Sequence, residues 1–157
     1  MKTLKENKTL AGFVIVLIAV IAGTLAYSHC QMPCGIYDDK ARLDAMAEEI
    51  TTIEKAMKEI TALSAEAKPN MNQIVRWVNT KEEHAGELDH TVTFYFMAQR
   101  IKPTEKTNTA AYEKYIKQLT LLHEMLLSSI KCKQTTDLAN VEKLRTLLKE
   151  FQTAYSE

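Results

Sequence analysis

The chain has 157 residues, 20 basic against 20 acidic side chains, 46% apolar residues, and only 4 Gly and 3 Pro. That length fits one domain with a workable core, and so few loop-forming residues exclude a disordered or turn-rich all-β chain. A formal net charge of zero argues against a nucleic-acid binder, which needs a basic face to displace counterions.

The charge is unevenly placed. Residues 1–28 hold Lys2, Lys5, Lys8 and Glu6, which leaves 17 basic and 19 acidic side chains in the remainder. Residues 10–27, LAGFVIVLIAVIAGTLAY, run 18 positions without a charge. A lysine-bearing segment followed by an apolar run is the pattern of a secretory signal, although a run of this length also suffices to span a bilayer. The end of the run favours cleavage, because Ala26 and Ser28 place small residues at the −3 and −1 positions of the Ser28–His29 bond. A lipoprotein signal does not fit, since Tyr27, Ser28 and His29 precede Cys30. Cleavage there leaves a chain of 157 − 28 = 129 residues that begins with His29. The expected organisation is a leader over 1–28, a hook over 29–37 and a helical domain over 38–157.

Beyond Tyr37 the apolar spacing predicts four helices. The first carries Leu43, Met46, Ile50, Ile53, Met57 and Ile60 inward, with Asp38 or Asp39 as N-cap and Pro69 as stop. The second runs from about Asn70 to Arg100 and presents Met71, Ile74, Val78, Ala85, Leu88, Val92 and Tyr95, with Lys102-Pro103 closing it. The third follows a polar loop over 104–108 and turns Tyr112, Ile116, Leu119, Leu122 and Leu126 inward; the fourth presents Val141, Leu144, Leu148, Phe151 and Tyr155. No alternating strand pattern, repeat or long linker interrupts them. Four amphipathic helices with short connections make an all-α, antiparallel four-helix bundle. Lys81 breaks the stripe of the second helix and Gly86 follows inside it, so this turn either faces solvent or a neighbouring subunit, or supports a site.

Cysteines stand at 30, 34 and 132. In an exported chain Cys30 and Cys34 could form a disulfide, and Cys132 reads as an inert core thiol. The placement of the nonapeptide HCQMPCGIY, residues 29–37, is more informative. With His29 as the new terminus, its α-amine, the Cys30 amide nitrogen and the Cys30 thiolate form two fused five-membered chelate rings. Cys34, returned by the Gln31-Met32-Pro33 turn, adds a second thiolate and completes a planar N2S2 set. The His29 imidazole can reach an axial position. Planar coordination by such donors suits Ni(II) or Cu(II) rather than tetrahedral Zn, and electron-rich donors favour a redox-active metal.

This segment resembles the nickel hook of the nickel-containing superoxide dismutases, whose mature chains begin H-C-x-x-P-C-G-x-Y. The resemblance implies a metal set of His29, Cys30 and Cys34 holding one nickel ion per subunit. It implies disproportionation of superoxide to dioxygen and hydrogen peroxide with cycling between Ni(III) and Ni(II). It further implies that the His29 imidazole joins and leaves the metal, that Tyr37 stands over the open face, that a cis Met32–Pro33 bond shapes the turn, and that Gly35 permits the exit. By the same resemblance Asp44 is a candidate for orienting the imidazole, His84 for supporting that carboxylate, and Lys102 for steering the anion; a homohexamer of bundles is implied as well. Processing would require a peptidase that cuts Ser28–His29. Export to a periplasm or lumen, or membrane association through the leader alone before cleavage, is the expected location, with cytoplasmic removal of a pro-sequence as the alternative.

Two competing readings draw on other residues. Glu87-Leu88-Asp89-His90 is half of a di-iron signature, but Thr120 stands three residues before His123, where the second half needs Glu. The non-enzymatic alternative is an anchored or exported binding bundle with a Cys30–Cys34 disulfide.

Overall fold

The computed structural model describes residues 38–156. They form α1 (Asp39–Ser64), α2 (Met71–His90), a π-helical continuation of α2 (Thr91–Arg100), α3 (Thr109–Gln134) and α4 (Ala139–Ser156), with no strand among the described residues. Side-chain links fix the directions. On the α1–α2 seam Asp39 meets Arg100 while Glu49 meets His84, so the two helices run antiparallel. The same inversion appears between α2 and α3, where Lys81 reaches Cys132 and Ala85 receives Ser129. It recurs between α3 and α4, where Gln118 meets Ala154 and Glu124 meets Lys143, and between α1 and α4, where Asp39 meets Tyr155 and Glu54 meets Arg145. Each helix therefore has two antiparallel neighbours, which is the expected up-down-up-down bundle.

Local chemistry starts and stops these helices. Asp38 caps α1 by accepting from the Lys40 amide at 2.9 Å, and Asn70 and Asn108 accept from the third residues of α2 and α3. Asp137 accepts from the Ala139 amide at 3.0 Å ahead of α4. The α1 helix ends at Ser64, five residues before the expected stop at Pro69. Ile101 leaves the π segment in an extended conformation, and Lys102 then precedes Pro103.

The core follows the expected stripe on α1 and α4. Met46, Ile50, Ile53, Met57, Val141, Leu144, Leu148 and Phe151 are buried, joined by Ala85, Leu88, Val92 and Phe96 from α2 and its continuation. Phe96 packs edge-on against Phe151 at 5.0 Å and Tyr155 at 5.6 Å, and Tyr95 meets Phe96 edge-on at 5.1 Å.

Two expected faces are corrected. On α3 the expected Leu122 is buried and Leu119 and Leu126 pack against the core, but Ile116 is exposed and the buried set also takes in Gln118, Leu121, Met125, Ser128, Ser129 and Cys132. The cause is that α3 carries apolar residues nearly all round, and the helix turns its small Ser128 and Ser129 toward the bundle. On α2 the first two turns contribute little, with Met71 64% exposed and Ile74 and Val78 only half-buried. None of the described helices is long and apolar enough to cross a membrane. The leader at 1–28, the hook at 29–37 and their boundaries lie outside the described residues.

Candidate functional site

His29, Cys30, Pro33, Cys34, Gly35 and Tyr37 lie outside the described residues, and the chain that carries them enters the bundle at Asp38. Among the described residues no group of three or more His, Cys, Asp or Glu side chains could hold a metal. What the structure gives is the platform to which the hook segment is joined.

At that junction two acidic residues divide the work. Asp38 caps α1, so Asp39 is released from local capping and makes tertiary contacts instead. Its Oδ1 accepts from the Tyr95 hydroxyl and lies 2.7 Å from Arg100 Nε; its Oδ2 accepts from the Tyr155 hydroxyl at 2.8 Å. Arg100 Nη2 donates to the Tyr95 hydroxyl at 2.8 Å, and its guanidinium lies 4.9 Å from the centre of the Tyr95 ring. Arg42, one turn into α1, lies over the same ring at 6.0 Å. The first residue of α1 is thus tied to the π segment and to the last turn of α4.

The π winding is what makes this cluster possible. In an α-helix residues five apart point about 140° away from one another. The π-type bond pairs i with i+5, as the Ile101 amide does with the Phe96 carbonyl at 2.9 Å, and so brings Tyr95 and Arg100 to one side. Partial burial on its own would raise the pKa of Asp39. The hydrogen bonds from Tyr95 and Tyr155 and the charge of Arg100 outweigh that and hold the carboxyl below its ordinary value. Tyr95 and Tyr155 are pushed the other way, first by burial and then by the Asp39 carboxylate, and stay protonated.

The remaining candidates are dispersed. Asp44 pairs with Lys40 at 2.5 Å on the exposed surface of α1. His84 pairs through Nδ1 with Glu49, so the carboxylate beside it is Glu49 and not Asp44. Glu49 is ten residues from Asp39, about 15 Å along the helix. Lys102 is exposed and follows the buried Ile101 at the end of the bundle that holds Asp39.

Lys81 proves to be neither solvated nor part of the Asp39 cluster. It is 4% exposed, and its Nζ donates to the carbonyls of Cys132 (2.8 Å) and Lys133 at the C-terminal end of α3, with Glu82 at 3.2 Å. Gly86 answers to no close approach, since a Cβ there would meet nothing within 4 Å. Cys132 is a fully buried free thiol pushed up to about 11 by burial, as expected of an inert core cysteine. His90 stacks on Phe94 at 4.6 Å, and both side chains are exposed.

Sequence reasoning missed Tyr95 as a polar residue, together with Arg100, Asp39 and Glu49 as partners. Tyr95 and Tyr155 read as core positions because their rings follow the apolar stripe. No spacing rule for an α-helix would have joined Tyr95 to Arg100.

The family model for nickel-containing superoxide dismutase matches residues 24–157, which takes in the hook segment and the whole bundle. Neither a curated protein nor a solved structure matches the chain. On the extent of the family match the chain belongs to the nickel-containing superoxide dismutases, enzymes whose substrate is superoxide and whose cofactor is nickel.

Proposed function

We propose that this chain dismutates superoxide at a nickel ion held by residues 29–34, in a site that exists only after cleavage of Ser28–His29. The observation that carries the reading is the position of HCQMPCGIY directly behind a small-residue cleavage signature, inside the family match. The donor set suits nickel: an amine and an amidate nitrogen with two thiolates are strong planar donors, and only a free α-amine at His29 completes them. When bound, nickel supplies one-electron chemistry between its +3 and +2 states.

The chain's own residues do the rest. His29 would supply the α-amine and an imidazole, and Cys30 and Cys34 would supply thiolates. Pro33 and Gly35 shape the turn, and Tyr37 offers a hydroxyl that can donate to a small anion. Two superoxide ions and two protons give one dioxygen and one hydrogen peroxide, so an anion must be drawn to a mature chain whose 17 basic and 19 acidic side chains leave it slightly negative. Arg42 and Lys102, near the junction end of the bundle, supply local positive charge that favours its capture. Asp44 remains the candidate for orienting the imidazole. His84, paired with Glu49, offers a carboxylate–imidazole link between α1 and α2 in place of the support proposed for Asp44. Homohexameric assembly, export directed by residues 1–28 and a dedicated peptidase belong to the same reading.

The test is to compare mature protein beginning at His29 with protein that carries one extra alanine ahead of His29. The extra residue converts the donor amine into an amide while leaving every side chain in place. Loss of both bound nickel and superoxide consumption is expected. Equal activity in the two proteins would overturn the hook as drawn.

A further inference from the structure

We propose that the cluster of Asp39, Tyr95, Arg100 and Tyr155 is a positioning device for the hook, a latch that holds the base from which residues 29–37 extend. The inference rests on the hook reading above and assigns its support to residues that the reading does not use.

Three observations carry it. First, the cluster is not needed to begin α1, because Asp38 already accepts from the Lys40 amide. Second, both carboxylate oxygens of Asp39 are engaged by groups far away in sequence. Tyr95 and Arg100 come from the π segment, and Tyr155 comes from the last turn of α4. A helix terminus ordinarily frays, and here its first residue is held from two directions. Third, the latch is stiff. Tyr95 and Tyr155 are fixed by the buried ring of Phe96, and Arg100 both pairs with Asp39 and donates to the Tyr95 hydroxyl.

The consequence follows from chain geometry. Once Ser28–His29 is cut, residues 29–37 are a free chain end whose covalent support is the first turn of α1. Tyr37 lies two residues before Asp39, so its Cα is within about 7.6 Å of that of Asp39. A site that must hold its groups to within about 0.5 Å cannot rest on a fraying terminus. Locking Asp39 against two other helices transmits the rigidity of the bundle core to Tyr37 and to the ligands behind it. The π winding thereby has a purpose, since it is what allows Tyr95 and Arg100 to grip one carboxylate together. These are positioning residues; none of them is assigned contact with superoxide or metal.

The experiment uses mature, nickel-loaded protein with the substitutions Asp39→Asn and Tyr155→Phe, and Arg145→Gln as control. Arg145 ties α4 to α1 through Glu54 at 2.5 Å but lies away from the junction. Nickel content, the electron paramagnetic resonance signal of the Ni(III) form, the rate constant for superoxide and Tm are read for each. A latch predicts bound nickel in all proteins, with an altered Ni(III) signal and a rate constant lowered about tenfold or more in Asp39→Asn and Tyr155→Phe alone. Tyr155→Phe removes one hydroxyl from a ring that stays packed, so it decides the matter should Asp39→Asn fail to fold. An unchanged signal and rate constant in Tyr155→Phe, with Tm lowered no differently from Arg145→Gln, would reduce the cluster to a structural tie and overturn the proposal. Absence of nickel from the wild-type protein would instead overturn the hook reading itself, and the latch with it.

Discussion

Replacing Lys81 with Met isolates one charged group at the α2–α3 seam while keeping a side chain of similar length. In the native chain the buried ammonium donates to the carbonyls of Cys132 and Lys133, among the last carbonyls of α3 that have no partner within the helix. A hydrogen bond to a charged group contributes about 1.5–3 kcal/mol net, and a cation at a helix C-terminus adds about 0.3–1 kcal/mol. Against this stands the cost of desolvating an ammonium, several kcal/mol before its partners are counted, so that apolar replacement of a buried charge is sometimes neutral. The deciding contribution is the Cys132 carbonyl, which Met would leave buried without a donor at a cost of about 1–3 kcal/mol. We expect a net loss of about 1–2 kcal/mol. For the proposed mature chain of 129 residues the unfolding entropy is about 0.27 kcal/mol/K, so Tm should fall by about 4–7 °C. The assay is thermal unfolding of metal-free protein beginning at His29, followed by circular dichroism, at matched protein concentration because any assembly would shift Tm. Hydrogen exchange should quicken in the last turn of α3. A Tm equal to or above that of the native chain would show instead that the ammonium costs more than its carbonyl contacts return.

Three further outcomes follow from the same structure. Gly86→Ala should raise stability by about 0.5–1 kcal/mol, since Ala favours a helix interior and its methyl group meets nothing within 4 Å; a lowered Tm would reveal a surface pressed against this position in solution. Cys132 should resist a thiol reagent at pH 8 in the native state and react only on unfolding, because it is buried and its pKa is raised to about 11; rapid native labelling would show that the α3 end opens. Asp39 has a lowered pKa in the folded state, so its contribution is present above the ordinary carboxylate range and is lost as pH falls through the folded value. Stability measured downward from about pH 5 should therefore decline less steeply in Asp39→Asn than in the native chain, and parallel profiles would exclude that carboxylate.

The fold was legible where the helix period was clean. On α1 the 3-4 spacing from Met46 to Ile60 gave the buried face, and Asp38 gave the cap. On α3 apolar residues recur on every side, so periodicity alone could not say that Leu121 and Met125 point inward while Ile116 and Leu127 stay exposed. The same limit hid the polar cluster at the junction. Tyr95 and Tyr155 advertise core rings, and their hydroxyl partner Asp39 is separated from them by 56 and 116 positions. The Tyr95–Arg100 pair also depends on a winding that no α-helical template contains. Lys81 was visible as a breach of the stripe, but its destination on the carbonyl end of α3 is a tertiary fact. The proposed hook rests on the sequence for the opposite reason. Its donors would come from neighbouring residues and a chain terminus made by cleavage, so their chemistry is argued from covalent structure with no fold required.

The central claim, that an N-terminal hook created by cleavage holds the nickel, is met most directly by intact mass and metal analysis. The protein should be purified from a nickel-supplied host that also makes its processing peptidase. A mass beginning at His29 with about one nickel per chain, the metal lost in Cys30→Ser and in Cys34→Ser, is expected. Nickel bound equally well by a chain that retains Met1, or kept by both cysteine variants, would contradict it.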